Sequence, residues 1–246
     1  LLRRMEQRAL GKKDDPIVID EFPGLQGEVA WDPRPISRSG TERVIKFAFD
    51  YAKVRQKKSG KPQSVTCVDK SNVTRGCQLF RKIFREFSES NQDIAVKEAY
   101  IDAFTMWLVR NPEDLDVVVL PNMFGDIATD LASVLQGGMG MSASANMGPK
   151  HMLFEPVHGS APKHAGKNIV NPIAMIQSVQ MMFEALGFRK KDETLDICAE
   201  ILQNAIRGHF EEGSPVTYDL GGTASTSDVG EAIADRCERM LKERFQ

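Results

Sequence analysis

Cysteine is scarce: Cys67, Cys77, Cys198 and Cys237 are the only four in 246 residues. They lie far apart with no Cys-x-x-Cys pair, which disfavours structural zinc and a disulfide framework and favours a reducing cytoplasm or organelle matrix. Charge of one sign is lacking too. The 32 Lys plus Arg nearly balance 34 Asp plus Glu, giving a formal charge of -2, so neither nucleic acid nor a polybasic membrane contact is expected. Long apolar runs are missing as well. Stretches such as Asp116-Val117-Val118-Val119-Leu120 fall far short of the roughly 20 residues that cross a bilayer, so no membrane anchor is expected. The chain opens Leu1-Leu2-Arg3-Arg4 without an initiator Met or the apolar core of a secretory signal, and its start reads as trimmed or as that of a fragment.

What is present fits a folded α/β chain. With 41% hydrophobic and 27% charged residues, the composition is that of a soluble globular protein of one or two domains. No internal repeat or low-complexity tract interrupts it. Short β-branched or apolar runs predict strands at Pro16 to Asp20 and Glu28 to Trp31. A helix is predicted from near Ser39, with Val44, Phe47, Ala48, Tyr51 and Ala52 on its apolar face. Ser64 to Asp69 reads as a strand, then a helix from about Asn72 to Ser88 with Cys77, Phe80, Phe84 and Phe87 in one stripe. Glu98 to Ile101 precedes a helix over Ala103 to Arg110, which Asn111-Pro112 stops. Asp116 to Leu120 precedes a helix over Phe124 to Leu135, ended by Gly137-Gly138. Met139 to Asn171 reads as a functional loop system, and helices follow near Ile173 to Leu186, Thr194 to Arg207 and Asp228 to Arg244.

Lys70, Asp102 and Asp126 fall at or just after three successive strand-to-helix joins, the place where α/β proteins build their sites. Asp126 and Asp130 are four apart, so on a helix their carboxylates point the same way. Two readings follow. Asp126, placed in the first turn, complements the helix dipole while Asp130 is solvated, or the pair holds a hard cation such as Mg²⁺ or Mn²⁺. Lys70 is either a surface lysine at a helix start or, beside a metal, an ammonium whose lowered pKa lets it exchange protons with a substrate. The run from Glu155 to Lys167 gathers small residues, backbone donors and cations, suiting an anionic ligand such as a nucleotide phosphate, although His158 alone reads equally well as a satisfied loop histidine.

Taken together, Val68-Asp69-Lys70-Ser71-Asn72-Val73, Tyr100-Ile101-Asp102, Leu108-Val109-Arg110-Asn111-Pro112, Asn122 to Asp130, Phe154 to Lys167, Asn171-Pro172 and Thr217 to Gly222 occur in one order. That order resembles the isocitrate and isopropylmalate dehydrogenase family of metal-dependent β-decarboxylating enzymes, over roughly residues 36 to 245. The resemblance implies that family's sheet architecture, an α/β fold with a large cofactor domain and a smaller dimerisation domain. Residues 1–115 would mainly form the small domain and 116–246 the C-terminal part of the large one.

It also implies NAD(P)-dependent oxidative decarboxylation of a 2-hydroxy acid bearing a β-carboxylate, such as isocitrate, 3-isopropylmalate, homoisocitrate or a tartrate-like acid. Lys70 would be the catalytic lysine, reaching into the neighbouring subunit of a homodimer. Asp102 from that neighbour would join Asp126 and Asp130 as ligands of Mg²⁺ or Mn²⁺. Asn72 would approach the nicotinamide, and Glu155, His158, Gly159, Ser160, Ala161, Lys163, His164 and Asn171 would bind the cofactor. NADP is favoured over NAD, because Lys163-His164 stands where NAD users carry an Asp followed by an apolar residue.

Two departures qualify the resemblance. The family's first third, which carries the substrate-gripping arginines, has no counterpart before residue 16. Ile19 to Gly27 stands where an Arg-Glu-Asn-Thr-Glu-Gly-like run precedes a catalytic tyrosine, with Asp20 at the arginine position and Gln26 near the tyrosine's. A non-catalytic regulatory paralogue is therefore the alternative reading.

Overall fold

The computed structural model describes residues 32–60 and 63–245, so the strands expected at 16–20 and 28–31 and the divergent run 19–27 lie outside the described residues. The first described element is α1 (Arg38–Ser59), and both its ends are chemically marked. The Ser37 side chain accepts from the Gly40 N–H, and Gly60 ends the helix at φ 67, donating to the Gln56 carbonyl, a left-handed cap that glycine adopts without a Cβ clash. β1 (Ser64–Asp69), α2 (Arg75–Glu89), β2 (Ala95–Tyr100), α3 (Ile101–Arg110), β3 (Val117–Val119) and α4 (Asn122–Leu135) follow. After them come β4 (Ala143–Met147), β5 (Met152–Pro156), α5 (Ile173–Lys190), α6 (Glu193–Glu211) and α7 (Thr226–Phe245).

The chain forms two compact units. One holds the described residues through Tyr100 together with Asp116–Pro121, and the other holds Ile101–Leu115 and the residues from Asn122 onward. The cut between them falls after Tyr100, and β3 returns to the first unit.

In the first unit three parallel strands lie in the order β2-β1-β3. β1 is the centre, paired from Ser64 with Ala95 to Asp69 with Tyr100 on one side and from Val65 with Val117 to Cys67 with Val119 on the other. It is buried from Val65 to Asp69, as expected of a parallel strand covered on both faces. Ile45, Phe49, Ala48 and Ala52 of α1 and Phe80, Ile83 and Phe84 of α2 join Val65, Cys67, Val117 and Val119 in one core. The α2 stripe is as expected, with Phe87 packed at its margin. The α1 face is not. Val44, Phe47 and Tyr51 are exposed while Thr41, Ile45, Ala48, Phe49 and Ala52 are buried. The helix carries two apolar faces at helical spacing, and periodicity alone does not choose between them; Ile45 and Phe49 belong to the one the sheet covers.

The second unit departs from expectation in three places. α4 starts at Asn122, two residues early, so Asp126 lies beyond the first turn, which contains no acidic residue; the dipole-complementing role loses its geometry. The Met139 to Asn171 region contains an antiparallel hairpin, β4 with β5, pairing Ala143 with Pro156 through Met147 with Met152. Small and polar residues in β4, Ala143-Ser144-Ala145-Asn146, hide its strand character. In the first unit, β2 likewise begins at Ala95, three residues before the expected start. The last helices run longer than their apolar periods suggested, and α7 opens with a reciprocal cap in which Ser225 N–H donates to Asp228 and Asp228 N–H to the Ser225 hydroxyl. The core here joins Met141, Ile173, Ala205, Ile206, Val229 and Ile233.

Beside that core His209 is fully buried. One ring nitrogen, Nε2, lies 3.1 Å from the Pro215 carbonyl, while Nδ1 has no hydrogen-bond partner. Burial holds its pKa below the ordinary 6.5, and the nearby Arg236 cation lowers it further against the Pro215 bond. The unfolded chain therefore takes up this proton first as pH falls, and stability is lost downward from about pH 6.5. Thermal denaturation of the full-length protein at stepped pH should show Tm falling below that point. His209→Gln should flatten the decline; an unchanged profile would remove His209 as its source.

Candidate functional site

The carboxyl end of β1 passes directly into Lys70 and a turn. Val73 and Thr74 N–H groups both donate to the Lys70 carbonyl at 3.0 Å, so α2 starts at Arg75 rather than Asn72. The turn holds Lys70 half-buried and Asn72 exposed. Because β1 leads to β2 on one side and pairs with β3 on the other, its end lies beside the point where strand order reverses, the usual ligand crevice of an open parallel sheet.

Asp69 is the residue that periodicity does not single out. Its carboxylate is fully buried. The Ser71 N–H donates to its Oδ1 at 2.7 Å, and Arg81 donates to Oδ2 through Nε at 2.8 Å and to Oδ1 through Nη2 at 2.9 Å. Arg81 Nη2 also donates to the Ala99 carbonyl at 2.9 Å, and its guanidinium lies 4.8 Å from the Tyr100 ring centre. Burial works against the arginine's charge, but the bonds and field of Asp69 outweigh it and raise its pKa. Removing Arg81 alone would leave a buried anion uncompensated, at a cost of about 3–5 kcal/mol. Burial, then the Asp69 charge, pushes the Cys67 thiol far above its usual range, which makes Cys67 an inert core residue. The only signal for the pair was an aspartate closing an apolar strand with an arginine in the following helix.

In the other unit Asp102 lies in the first turn of α3 and is exposed. Asp126 and Asp130 are exposed one turn apart on α4, with the Asn122 side-chain amide 3.3 Å from Asp126 Oδ1. Among the described residues no three His, Cys, Asp or Glu side chains converge on one point. The donor set nonetheless fits a hard divalent cation, which takes a few carboxylate oxygens and leaves positions for water or a chelating ligand.

The loop after β5 is pinned rather than loose. Glu155, next to last in β5, accepts from Asn146, and the half-buried His158 sets Nδ1 2.9 Å from the Gly159 carbonyl. Gly159, Ser160, Ala161 and Lys163 are exposed. Ala161 takes a left-handed φ of 45 ahead of the Pro162–His164 turn, which closes through the His164 N–H on the Ala161 carbonyl at 2.9 Å. His164 stacks near Tyr218, ring centres 5.9 Å apart, and its buried Nδ1 has no hydrogen-bond partner. A buried polar atom left unpaired fits a loop completed by a polar ligand such as a nucleotide.

Farther on, Asn168 accepts both the backbone N–H and the hydroxyl of Ser227. Buried Asn171 accepts the Ile173 N–H and donates to Asp219 at 3.1 Å, which itself accepts from Thr217. A Cβ at Gly140 would sit 2.7 Å from Asp219 Oδ2 and 3.1 Å from Asn171 Cβ, so glycine there is required by the close approach. Asp219 and Thr217 went unassigned in the sequence, although both lie in or beside the Thr217 to Gly222 motif.

A parallel sheet with a charged residue following each strand end in one unit, and a glycine- and histidine-bearing loop after a hairpin in the other, are features of α/β ligand-binding proteins. Comparison with known proteins sharpens this. The isocitrate/isopropylmalate dehydrogenase family model matches residues 11–233, and the chain belongs to that family. It is 40% identical over 219 residues to a homoisocitrate dehydrogenase of Methanocaldococcus jannaschii, covering 89% of this chain and 59% of the relative. It is 42% identical to a 3-isopropylmalate/3-methylmalate dehydrogenase of the same organism, covering 87% and 63%. Among solved structures, a β-decarboxylating dehydrogenase from Thermococcus kodakarensis superposes with a TM-score of 0.77 at 39% identity, over 93% of this chain and 61% of that one. An isocitrate dehydrogenase from Methylococcus capsulatus gives 0.75 at 37%, over 91% and 62%. The chain thus spans about 60% of the length of these relatives, and its α/β fold is theirs.

Asp219→Ala should leave the buried Asn171 amide with only the weak Met141 sulfur as acceptor, lowering stability by about 1–3 kcal/mol. Because Asn171 lies in the expected cofactor loop, nucleotide affinity should fall as well. Fluorescence titration with the reduced cofactor, read beside a urea melt, checks both.

Proposed function

We propose that this chain is part of an NAD(P)-dependent, Mg²⁺- or Mn²⁺-dependent oxidative decarboxylase acting on a 2-hydroxy acid that bears a β-carboxylate. The observation that carries the reading is the order in which Lys70, Asp102 and Asp126 follow the carboxyl ends of β1, β2 and β3, within a chain of this family. Such a set of one ammonium and three carboxylates, with a divalent cation to offset the carboxylate charge, suits a doubly anionic, chelating substrate with a transferable proton.

Lys70 Nζ takes the proton of the substrate hydroxyl as the carbon-bound hydrogen leaves as hydride, and returns a proton once the β-carboxylate departs as CO₂. Asp126 and Asp130 present oxygens from one helix face, with Asp102 of a second copy, the copy that also supplies Lys70, as the third carboxylate. Asn72 orients the nicotinamide. Residues Glu155 to Asn171 hold the adenosine end, with His164 Nδ1 as one polar atom awaiting a partner. A bound cation would polarise the hydroxyl and the developing enolate, while the nicotinamide would accept the hydride.

A homodimer follows from the same reading. Met106, Trp107 and Val109 of α3 and Met123, Ile127 and Val134 of α4 are exposed, a concentration of apolar side chains on adjacent helices that a second copy would cover. With Lys163 and His164 side by side, the cofactor is NADP, because Lys163 pairs with a 2′-phosphate that an acidic residue would repel.

Two measurements test these assignments in the full-length protein. Mn²⁺ titration by calorimetry should show binding that Asp126→Asn weakens by about 10-fold or more, as loss of a charged ligand requires; equal affinity would rule out the aspartate pair. Steady-state kinetics should give a higher kcat/KM for NADP than for NAD, and Lys163→Asp should lower the NADP value by about 10-fold. A clear preference for NAD in the unmodified protein would mean Lys163 faces something else.

A further inference from the structure

We infer that Arg81 is a positioning residue for Lys70. The inference deepens the proposed function and rests on its assignment of Lys70. Arg81 touches none of the atoms expected to react. It grips Asp69 with two parallel bonds of 2.8 and 2.9 Å, and Asp69 is joined by one peptide bond to Lys70. Asp69 Oδ1 also takes the Ser71 N–H at 2.7 Å, so the carboxylate clamps the backbone on both sides of the lysine. The turn that follows closes on the Lys70 carbonyl through Val73 and Thr74, which fixes Asn72 in the same unit of backbone.

The same guanidinium reaches across to the Ala99 carbonyl of β2 and lies against the Tyr100 ring. One side chain therefore ties the ends of two neighbouring strands and the Lys70 turn into a single rigid piece. A planar fork with fixed donor directions does this, whereas a lysine at position 81 would supply one point charge without the second parallel bond or the bond to Ala99. Stability alone would not call for such a group, since apolar residues of similar volume commonly replace a buried ion pair without loss. The geometry points instead to orientation of the residues carried by the turn, where displacement of about 1 Å costs on the order of 100-fold in rate.

The test compares Arg81→Lys, Asp69→Asn, Lys70→Met and Arg85→Lys in the full-length protein. Arg85 is exposed, lies on the same helix and pairs with Glu98 at 2.7 Å, so Arg85→Lys controls for a general effect on α2. Expected are no activity for Lys70→Met, unchanged kinetics for Arg85→Lys, and a kcat lowered about 10- to 100-fold for Arg81→Lys and Asp69→Asn. KM values for cofactor and hydroxy acid should stay within about 2-fold, as expected when the loss falls on the chemical step. Hydrogen exchange supplies a readout independent of turnover. The peptide covering residues 70–74 should exchange faster in Arg81→Lys while the α2 interior keeps its protection, an outcome that general destabilisation would not give. If Arg81→Lys fails to fold, the shape-matched Asp69→Asn carries the same kinetic and exchange expectations. Wild-type kcat in both variants beside an inactive Lys70→Met overturns the positioning role and leaves the proposed function standing. Full activity in Lys70→Met overturns the role of Lys70 itself, and the positioning role with it.

Discussion

A carboxylate fully removed from water at the end of the central strand is the constraint around which the first unit is organised. Asp69 is buried because β1 runs between β2 and β3 beneath α1 and α2, and an anion there demands a cation and further donors. Arg81 supplies the charge and the Ser71 amide supplies the remaining donor. Satisfying Asp69 in this way dictates where α2 can begin, how the Lys70 turn closes, and which face of α2 meets the sheet. The core around Phe49, Phe80 and Phe84 adds burial worth roughly 1.5–3 kcal/mol for each such side chain. It does not by itself choose the conformation of the five residues after the strand.

Much of the fold was legible in the sequence because its signals are local. Ser64 to Asp69 is a strand with the bounds its β-branched run predicts, and α4 stops at Leu135, just before the paired glycines 137 and 138. What was not legible depends on tertiary choice. α1 offers two apolar stripes, and only the presence of the sheet decides that Ile45 and Phe49 go inward while Phe47 and Tyr51 stay out. The β4 and β5 hairpin is built partly from Ala, Ser and Asn, whose strand preference is weak, and exists because the two segments pair with each other.

The candidate site divides in the same way. Lys70, Asp102, Asp126 and Asp130 were visible as charged residues at element joins and as parts of family motifs. Arg81 was not, and Asp219 and Thr217 lay in a motif without an assigned role, because each acts by holding another residue, and the partner is 12, 48 or 2 positions away in sequence. Asp126 shows how a small shift of boundary changes the physical argument. With α4 starting at Asn122, its carboxylate no longer answers the helix dipole.

The central claim is that Lys70 of one copy completes the Asp126 and Asp130 site of another. It can be tested by refolding full-length Lys70→Met together with full-length Asp126→Asn, each inactive alone. Random pairing makes about half of the dimers hybrid, each with one site carrying both defects and one carrying neither, so roughly a quarter of wild-type activity should return. If the chains demonstrably mix and no activity appears, Lys70 and Asp126 serve the same site within one chain and the shared-site account is wrong.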